Sequence, residues 1–524
     1  MQTSELPKAV SAARSNSIAD AFARATRKHR DRVALEYDGR LWTFLEIDAA
    51  AGRLAHWLSL RGLRAGDRLL AFGRNSDAYF IVWLACCRGG FVHVPLNYAL
   101  TATEVAYIHG TCGARLVLFD DVLKETIDAV AVSPGELGRW SFAQARAAAT
   151  AADYDASFAN PEVAESSLAQ LLYTSGTTGA PKGAMMTHGA FLAEYAACTI
   201  ACEYAPDDVA LAALPLYHSA QMHAFTMPQM LAGARTTLLE SPVAGIVLRL
   251  IEELRITSFF APPTVWINLL REQEVEVRDL RSLQKLYYGA AIMPEPTLHE
   301  LAALLPGARL FNCYGQSEIG PVATVLGPEE HAARPTSAGR PLPSVETRVV
   351  SPDMHDVAPG EPGEIVHRSP QLMIGYWGAP AETEAAFDGG WFHSGDVGVM
   401  DADGFLFVVD RLKDVINTGG VLVASREVED ALLRHPAVSE AAVIALYDDV
   451  WGEAISAVVV LREGSSASGD ALVDFARQSL APFKLPKRIF FAESLPRNTA
   501  GKVLKRELRN TLADKGPAAA GLDH

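Results

Sequence analysis

Apolar and polar positions along the 524-residue chain fall into two rhythms. Short unbroken apolar runs, "RLLAFG" (68–73), "FVHVPL" (91–96), "RLVLFD" (115–120), "LAALPL" (211–216) and "ITSFFAP" (256–262), predict strands. A strand covered on both faces has no polar side to show. Between them, stretches such as 44–61, 101–109 and 190–200 predict helices, and the alternation predicts an α/β fold. The expected architecture is a large N-terminal domain of layered β-sheets and helices followed by a smaller α/β domain. Around 385–413, "DGGWFHSGDVGVMDADGFLFVVDRLKD" is rich in glycine and charge and closes the first part, while "REVEDALLRHPAV" (426–438) opens a compact segment running to about 510. The predicted boundaries are therefore 1–410 and 411–512, with a small-residue tail, 513–524, expected to be disordered. No fixed-period repeat is present.

One stretch interrupts this rhythm. In "LLYTSGTTGAPKGAMMTH" (171–188), Leu171–Tyr173 and Ala184–Met186 predict two buried strands, and the residues between them must form a tight loop. Its glycines let the backbone approach a ligand, its Thr and Ser residues supply O–H and N–H donors, and Lys182 adds a positive charge. That combination suits a polyphosphate. A Walker loop would need Gly-Lys followed by Ser or Thr, whereas Lys182 lies between Pro181 and Gly183, so that reading fails.

Charge narrows the guest further. Acidic residues number 62 against 46 basic ones, a net charge of −16. Such a surface opposes unspecific attraction to nucleic acid or anionic membranes, so no nucleic-acid partner is expected and an anionic ligand needs a locally built site. The six cysteines, Cys86, Cys87, Cys112, Cys198, Cys202 and Cys313, lack CxxC spacing and predict neither a disulfide framework nor a zinc site. With no apolar signal core and no apolar run of ~20 residues, the expectation is a cytoplasmic protein without integral membrane association, monomeric or homodimeric.

Further motifs follow in order: "PLYHSAQMH" (215–223), "YYGAAIMP" (287–294), "NCYGQSE" (312–318), "GWFHSGD" (390–396), "DRLKDVINTGG" (410–420) and "LPRNTAGKVLKREL" (495–508). Together with the loop, they resemble the adenylate-forming superfamily of acyl-CoA synthetases, aryl-CoA ligases, luciferases and peptide-synthetase adenylation domains, over nearly the whole chain. The resemblance implies ATP, Mg2+ and coenzyme A as ligands, a small-molecule carboxylic acid as substrate, and a small mobile C-terminal domain. A carboxylate is a poor electrophile, and activating it on ATP brings two anions together, so positive charge is needed at the site.

Matched residue by residue, the resemblance assigns Thr174, Ser175, Gly176, Thr177, Thr178, Gly179 and Lys182 to the β- and γ-phosphates and Glu318 to the metal. Ser317 stands where many relatives carry Thr, and the resemblance implies that its hydroxyl donates to the α-phosphate. Gly289, Ala290, Ala291, Asn312, Tyr314 and Gly315 match the adenine-binding positions, and Asp396 and Arg411 the ribose contacts. Lys502 matches the catalytic lysine of the adenylation step, and His218 the gate beside the carboxylate. Lys413, two residues after Arg411, matches the hinge. Gly419 and Gly420 match the pantetheine tunnel, and Lys484 lies in a segment typical of CoA ligases. Leu422 and Ser425 stand where relatives carry an amide and a proline.

Substrate preference is read from the expected acyl pocket, Ala220, Ala224, Phe225, Ile319 and Gly320 with Ala290. Its walls are small or apolar and suit a fatty, aryl or other bulky acid. His218 replaces the Asp that amino-acid-activating relatives use, which leaves a substrate ammonium unpaired. Acetate-selective relatives close the pocket with Trp at the place of Gly315, so Gly315 is expected to leave open space. The resulting expectation is an AMP-forming acid–CoA ligase. Transfer of the adenylate's acyl group to a carrier protein, or a nonenzymatic AMP or acyl sensor, remain as alternatives.

Overall fold

The computed structural model describes residues 10, 13–14, 16–160, 162–174, 181–291, 293–418, 421–448, 451–497 and 503–513. Contacts divide the chain into two compact units, Met1–Thr347 with His367–Phe392, and Arg348–Val366 with His393–His524.

The first unit contains a six-stranded sheet in the order Gly138–Ser141, Leu116–Phe119, Arg68–Phe72, Val92–Leu96, Leu168–Thr174, Lys182–Thr187. Its pairings are parallel except for the last, an antiparallel hairpin in which Thr174 lies opposite Lys182. A nine-stranded sheet runs from Arg340–Pro341 through Thr324–Leu326, Arg309–Tyr314, Lys285–Gly289, Ser258–Phe260, Val209–Ala212, Arg235–Leu238 and Val33–Tyr37 to Arg40–Thr43. Its centre is parallel and its edges antiparallel.

Helix Asp77–Gly89 joins Arg68–Phe72 to the parallel strand Val92–Leu96. Its sequence is apolar all round, and it is correspondingly enclosed, with Tyr79, Phe80 and Trp83 at 1% exposure or less. Each such side chain contributes ~1.5–3 kcal/mol relative to an exposed one.

The apolar runs become strands, with prolines trimming two of them. The run 211–216 yields only Val209–Ala212, since Pro215 has no N–H to give a ladder. The run 256–262 yields Ser258–Phe260, because Pro263 opens the helix Pro263–Leu270. The expected helices appear as Phe44–Leu60, Ala102–Cys112 and His188–Ala201.

The second unit holds most of a four-stranded sheet, Glu346–Val350, Pro362–Arg368, Phe392–Met400 and Leu406–Arg411. It also holds a five-stranded sheet built on the long hairpin Val438–Asp448 and Gly452–Leu461. Period-two alternation along Gly452–Leu461 sends Ile455, Ala457 and Val459 into one core with Val428 and Leu432. Val458 and Val460 point the other way, into a second core with Leu508 and Leu512. The sheet is thus covered by helices Ser425–Leu433 and Lys505–Leu512 on opposite faces. The tail from 514 lies outside the described residues. All six cysteines are buried free thiols, and among the described residues no helix is long and apolar enough to cross a membrane.

A polar chain runs through the core of the first unit. Tyr195 OH bonds His223 Nδ1 at 2.7 Å, His223 Nε2 bonds Gln170 Oε1 at 2.8 Å, and Gln170 Nε2 bonds His93 Nδ1 at 2.9 Å. With the amide donating to His93 Nδ1, that imidazole is neutral, and His223 Nε2 carries the proton it donates to Gln170 Oε1. Burial pushes His93 down to about 3 and His223 well below the usual histidine value, and His188 is likewise lowered to about 4. A histidine whose folded pKa is depressed adds stability that is present above its unfolded pKa and lost as pH falls toward the folded one. The melting temperature should therefore drop between about pH 6.5 and 4, and less steeply in His93→Asn than in the unsubstituted chain. Equal slopes in a pH series of thermal melts would contradict this assignment.

Candidate active site

The hairpin Leu168–Thr174 and Lys182–Thr187 delivers Thr174 and Lys182 to the two feet of one loop. Ser175, Gly176, Thr177, Thr178 and Gly179 lie outside the described residues. Beside the feet is Glu318, in the single helical turn Ser317–Ile319 that follows strand Arg309–Tyr314. The residue is 8% exposed, and its Oε1 accepts from Thr174 Oγ1 at 3.1 Å and Tyr376 OH at 3.2 Å. Lys182 Nζ lies 5.5 Å from the centre of the Tyr376 ring, within cation–π range. Burial, and then the Glu318 charge, push the Tyr376 phenol upward, so it stays a donor.

Tyr376 is held by backbone pairing. Met185 N–H donates to Gly375 O at 2.9 Å, and Trp377 N–H to Gly183 O at 2.8 Å, so the segment 374–377 lies along the edge strand Lys182–Thr187. Sequence reasoning missed Tyr376; the clue was a tyrosine in "MIGYWG" (373–378), where a loop has no other need for a large ring. Ser317 Oγ bonds Ser219 Oγ at 2.7 Å, linking the Glu318 turn to the segment carrying His218. His218 is half-buried, and its Nδ1 accepts from Ala220 N–H at 3.2 Å, which puts the proton of the neutral ring on Nε2.

The adenine candidates cluster at neighbouring strand ends, since Gly289 pairs with Cys313 across the parallel strands Lys285–Gly289 and Arg309–Tyr314. A Cβ on Gly289 would stand 2.2 Å from Cys313 O, so the strands meet too closely there for any side chain. Ala290 adopts φ 63°, a left-handed conformation costing a non-glycine residue ~1–2 kcal/mol, and Ala290 and Ala291 are both exposed. Asn312 Nδ2 is committed to Ser337 O at 2.8 Å, which turns its carbonyl into the remaining acceptor. Tyr314 is half-buried, with its ring 6.3 Å from that of His367. Ala224, Phe225 and Ile319 lie in one apolar cluster with Phe260 and Tyr287, and Ala220 packs against it.

Gly315 is where the structure corrects the sequence. A Cβ there would sit 2.3 Å from Pro321 O and 2.7 Å from Ala323 N, so the position is a close backbone approach and not open space.

In the second unit, Asp396 is 2% exposed and faces Arg411 across an antiparallel pair, with Arg411 Nε 2.7 Å from its Oδ1. The two expected ribose contacts are therefore adjacent. Asp410, just before Arg411, caps helix Ser425–Leu433: its Oδ2 accepts from Ser425 N–H at 2.6 Å and Ser425 Oγ at 2.8 Å. Lys505 Nζ donates to the same Ser425 Oγ at 2.7 Å, so a hydroxyl at 425 completes a buried network that a proline could not. Lys413 is exposed, while the neighbouring Asp414 is buried and bonded by Arg509. Burial would raise Asp414, but the Arg509 bond and the cations around it leave its pKa below the usual range. Lys484 is paired with Glu427, donating to both carboxylate oxygens at 2.6 and 2.7 Å. Gly419, Gly420 and Lys502 lie outside the described residues.

Comparison with known proteins bears on both units. The family model described as AMP-binding enzyme matches residues 22–377, and that of the AMP-binding enzyme C-terminal domain matches 427–502. A feruloyl-CoA synthase of Amycolatopsis sp is 36% identical over 93% of this chain and 97% of its own. A fatty acid–[acyl-carrier-protein] ligase, ScoC, of Streptomyces coeruleorubidus is 34% identical over 90% and 92%. The crystal structure of ATP-bound MatB from Rhodopseudomonas palustris superposes with a TM-score of 0.88 at 31% identity, covering 95% of this chain and 99% of that one.

The packing at Gly315 has a direct consequence. Gly315→Trp should not retune substrate size; it should displace the 321–323 backbone, destabilise the fold by roughly 1–3 kcal/mol or more, and depress activity toward every acid. Thermal melts alongside pyrophosphate release read this out. A Trp variant that melts like the parent and merely favours short acids would contradict it.

Proposed function

The chain belongs to the AMP-binding enzyme family, and we propose that it ligates a bulky hydrophobic carboxylic acid, fatty or aryl, to coenzyme A. The acid's carboxylate attacks the α-phosphorus of ATP, pyrophosphate leaves, and the acyl-adenylate forms. The thiol then adds to the acyl carbon and AMP departs with the electron pair of the broken C–O bond. The observation that carries this reading is Glu318, buried and oriented by Thr174 and Tyr376 at the feet of the hairpin loop that bears Lys182.

The donor set at Glu318 fits Mg2+. Both hydroxyl bonds fall on Oε1, so among the described residues Oε2 takes none, and a hard cation of this kind commonly binds one or two carboxylates while phosphate and water complete its shell. Glu318 would hold the ion, which when bound supplies neutralisation of the phosphate charge. Thr174 and Lys182, with Ser175–Gly179, grip the outer phosphates. Ser317 donates to the α-phosphate, and Asp396 and Arg411 contact the ribose. Lys502 stabilises the adenylation transition state, and the segment after Lys413 pivots so that the thiol can take the lysine's place.

A second reading, transfer of the acyl group to a carrier protein, is supported by the similarity to the acyl-carrier-protein ligase ScoC. The two readings separate in one assay. A panel of carboxylic acids is scored for pyrophosphate release without acceptor, with coenzyme A, and with a phosphopantetheinylated carrier protein. We expect aryl acids and fatty acids of about eight carbons or more to exceed acetate and amino acids by about 10²-fold in kcat/KM, with thioester accumulating on coenzyme A. Thioester on the carrier alone supports the second reading, and a preference for acetate or amino acids contradicts the pocket assignment.

A further inference from the structure

Helix His188–Ala201 begins directly after the hairpin that carries the loop, and its only acidic residue, Glu194, is fully buried. The side chain reaches the segment after Glu318. Glu194 Oε1 accepts from Val322 N–H at 3.2 Å and lies 3.9 Å from Cys198 Sγ, the thiol donating. Oε2 is buried and has no hydrogen-bond partner among the described residues. It is directed at Gly320: a Cβ there would stand 2.7 Å from Oε2, and Gly320 itself adopts φ 107°. Around it, Ala197, Cys198, Phe225, Ile319 and Val322 belong to one apolar cluster.

Burial raises the Glu194 carboxyl well above the ordinary range, against a smaller opposing effect from the Val322 N–H. Burial thus favours its neutral, protonated form. In that form, with both donors directed at Oε1, that oxygen serves as the carbonyl and the proton belongs on Oε2. The result is an O–H donor, without acceptor, at Gly320, one of the residues assigned to the acyl pocket.

We propose that Glu194 determines substrate specificity, its Oε2 hydroxyl donating a hydrogen bond to an oxygen acceptor (hydroxyl, ether or carbonyl) borne by the acid at a distance from its carboxylate. This rests on the ligase reading above and narrows its substrate class from any bulky hydrophobic acid to an oxygenated one. A site built to hydrogen-bond a substrate oxygen discriminates strongly against the analogue without it, because the buried donor is then left unpaired.

The test uses matched pairs of acids in which an oxygen substituent is replaced by methyl or methylene: 3- and 4-hydroxycinnamates against methylcinnamates, the corresponding benzoates, and oxo fatty acids against their parents. For each pair, kcat/KM for pyrophosphate release is measured on the full chain. At least one pair should favour the oxygenated acid by about 10²-fold or more. In Glu194→Met that ratio should collapse to within about threefold, whereas Glu194→Gln, which keeps an N–H donor, should preserve most of it. A ratio near one across all pairs in the unsubstituted chain overturns the inference. So does an unchanged ratio in Glu194→Met, as would follow if Oε2 served only a trapped water. The first criterion stands even if the Met variant does not fold. Absence of pyrophosphate release with every acid is a different result, and overturns the ligase reading together with this one.

Discussion

A carboxylate held out of water, that of Glu318 at the feet of the hairpin loop, is the constraint on which the proposed site in the first unit depends. Burying an unpaired charge costs several kcal/mol, so a glutamate buried like Glu318 calls for compensating partners. The compensation is partial: Thr174 and Tyr376 satisfy one oxygen with hydroxyls, and Lys182, at the other foot of the hairpin, places its charge over the Tyr376 ring. A divalent cation and a polyphosphate would complete the balance that the protein leaves open. Each supporting element follows from this, including the backbone pairing of 374–377 with the edge strand that fixes Tyr376 in place.

Close backbone packing gives Glu318 its position. Gly315 lets the strand end come against Pro321 and Ala323, and Gly320 leaves the space into which Glu194 points. The two glutamates thus flank the same short segment in opposite environments. Glu318 meets the hydroxyls of Thr174 and Tyr376, while Glu194 meets an apolar cluster, where burial favours its protonated form. A polar environment at Glu318 and an apolar one at Glu194 suit the two proposed tasks, metal binding and substrate recognition, on either side of one segment.

Much of this was legible in the sequence because the signals were local. Apolar runs became strands, with Pro215 and Pro263 trimming two of them for reasons proline itself supplies. The loop's two feet, the adjacency of Asp396 and Arg411, and the position of Glu318 followed from motifs with fixed spacing. Features that depend on distant backbone were hidden. Gly315 read as empty space because a one-letter G does not reveal that Pro321 O lies where a Cβ would go. Tyr376 is 58 residues from Glu318, its hydrogen-bond partner, and Glu194 only became conspicuous once its helix proved to be buried. Ser425 looked like a departure from the expected proline, yet in the folded chain its hydroxyl joins Asp410 to Lys505.

The central claim is that Glu318 is the charged ligand through which metal and ATP are held for carboxylate activation. The most direct test is acid-dependent exchange between ATP and pyrophosphate, measured as a function of Mg2+ concentration in the parent chain and in Glu318→Gln, which keeps shape and removes charge. The account predicts that the Mg2+ concentration giving half-maximal exchange rises by about tenfold or more and that the maximal rate falls. Superimposable Mg2+ curves for the two proteins would contradict it and place the metal elsewhere.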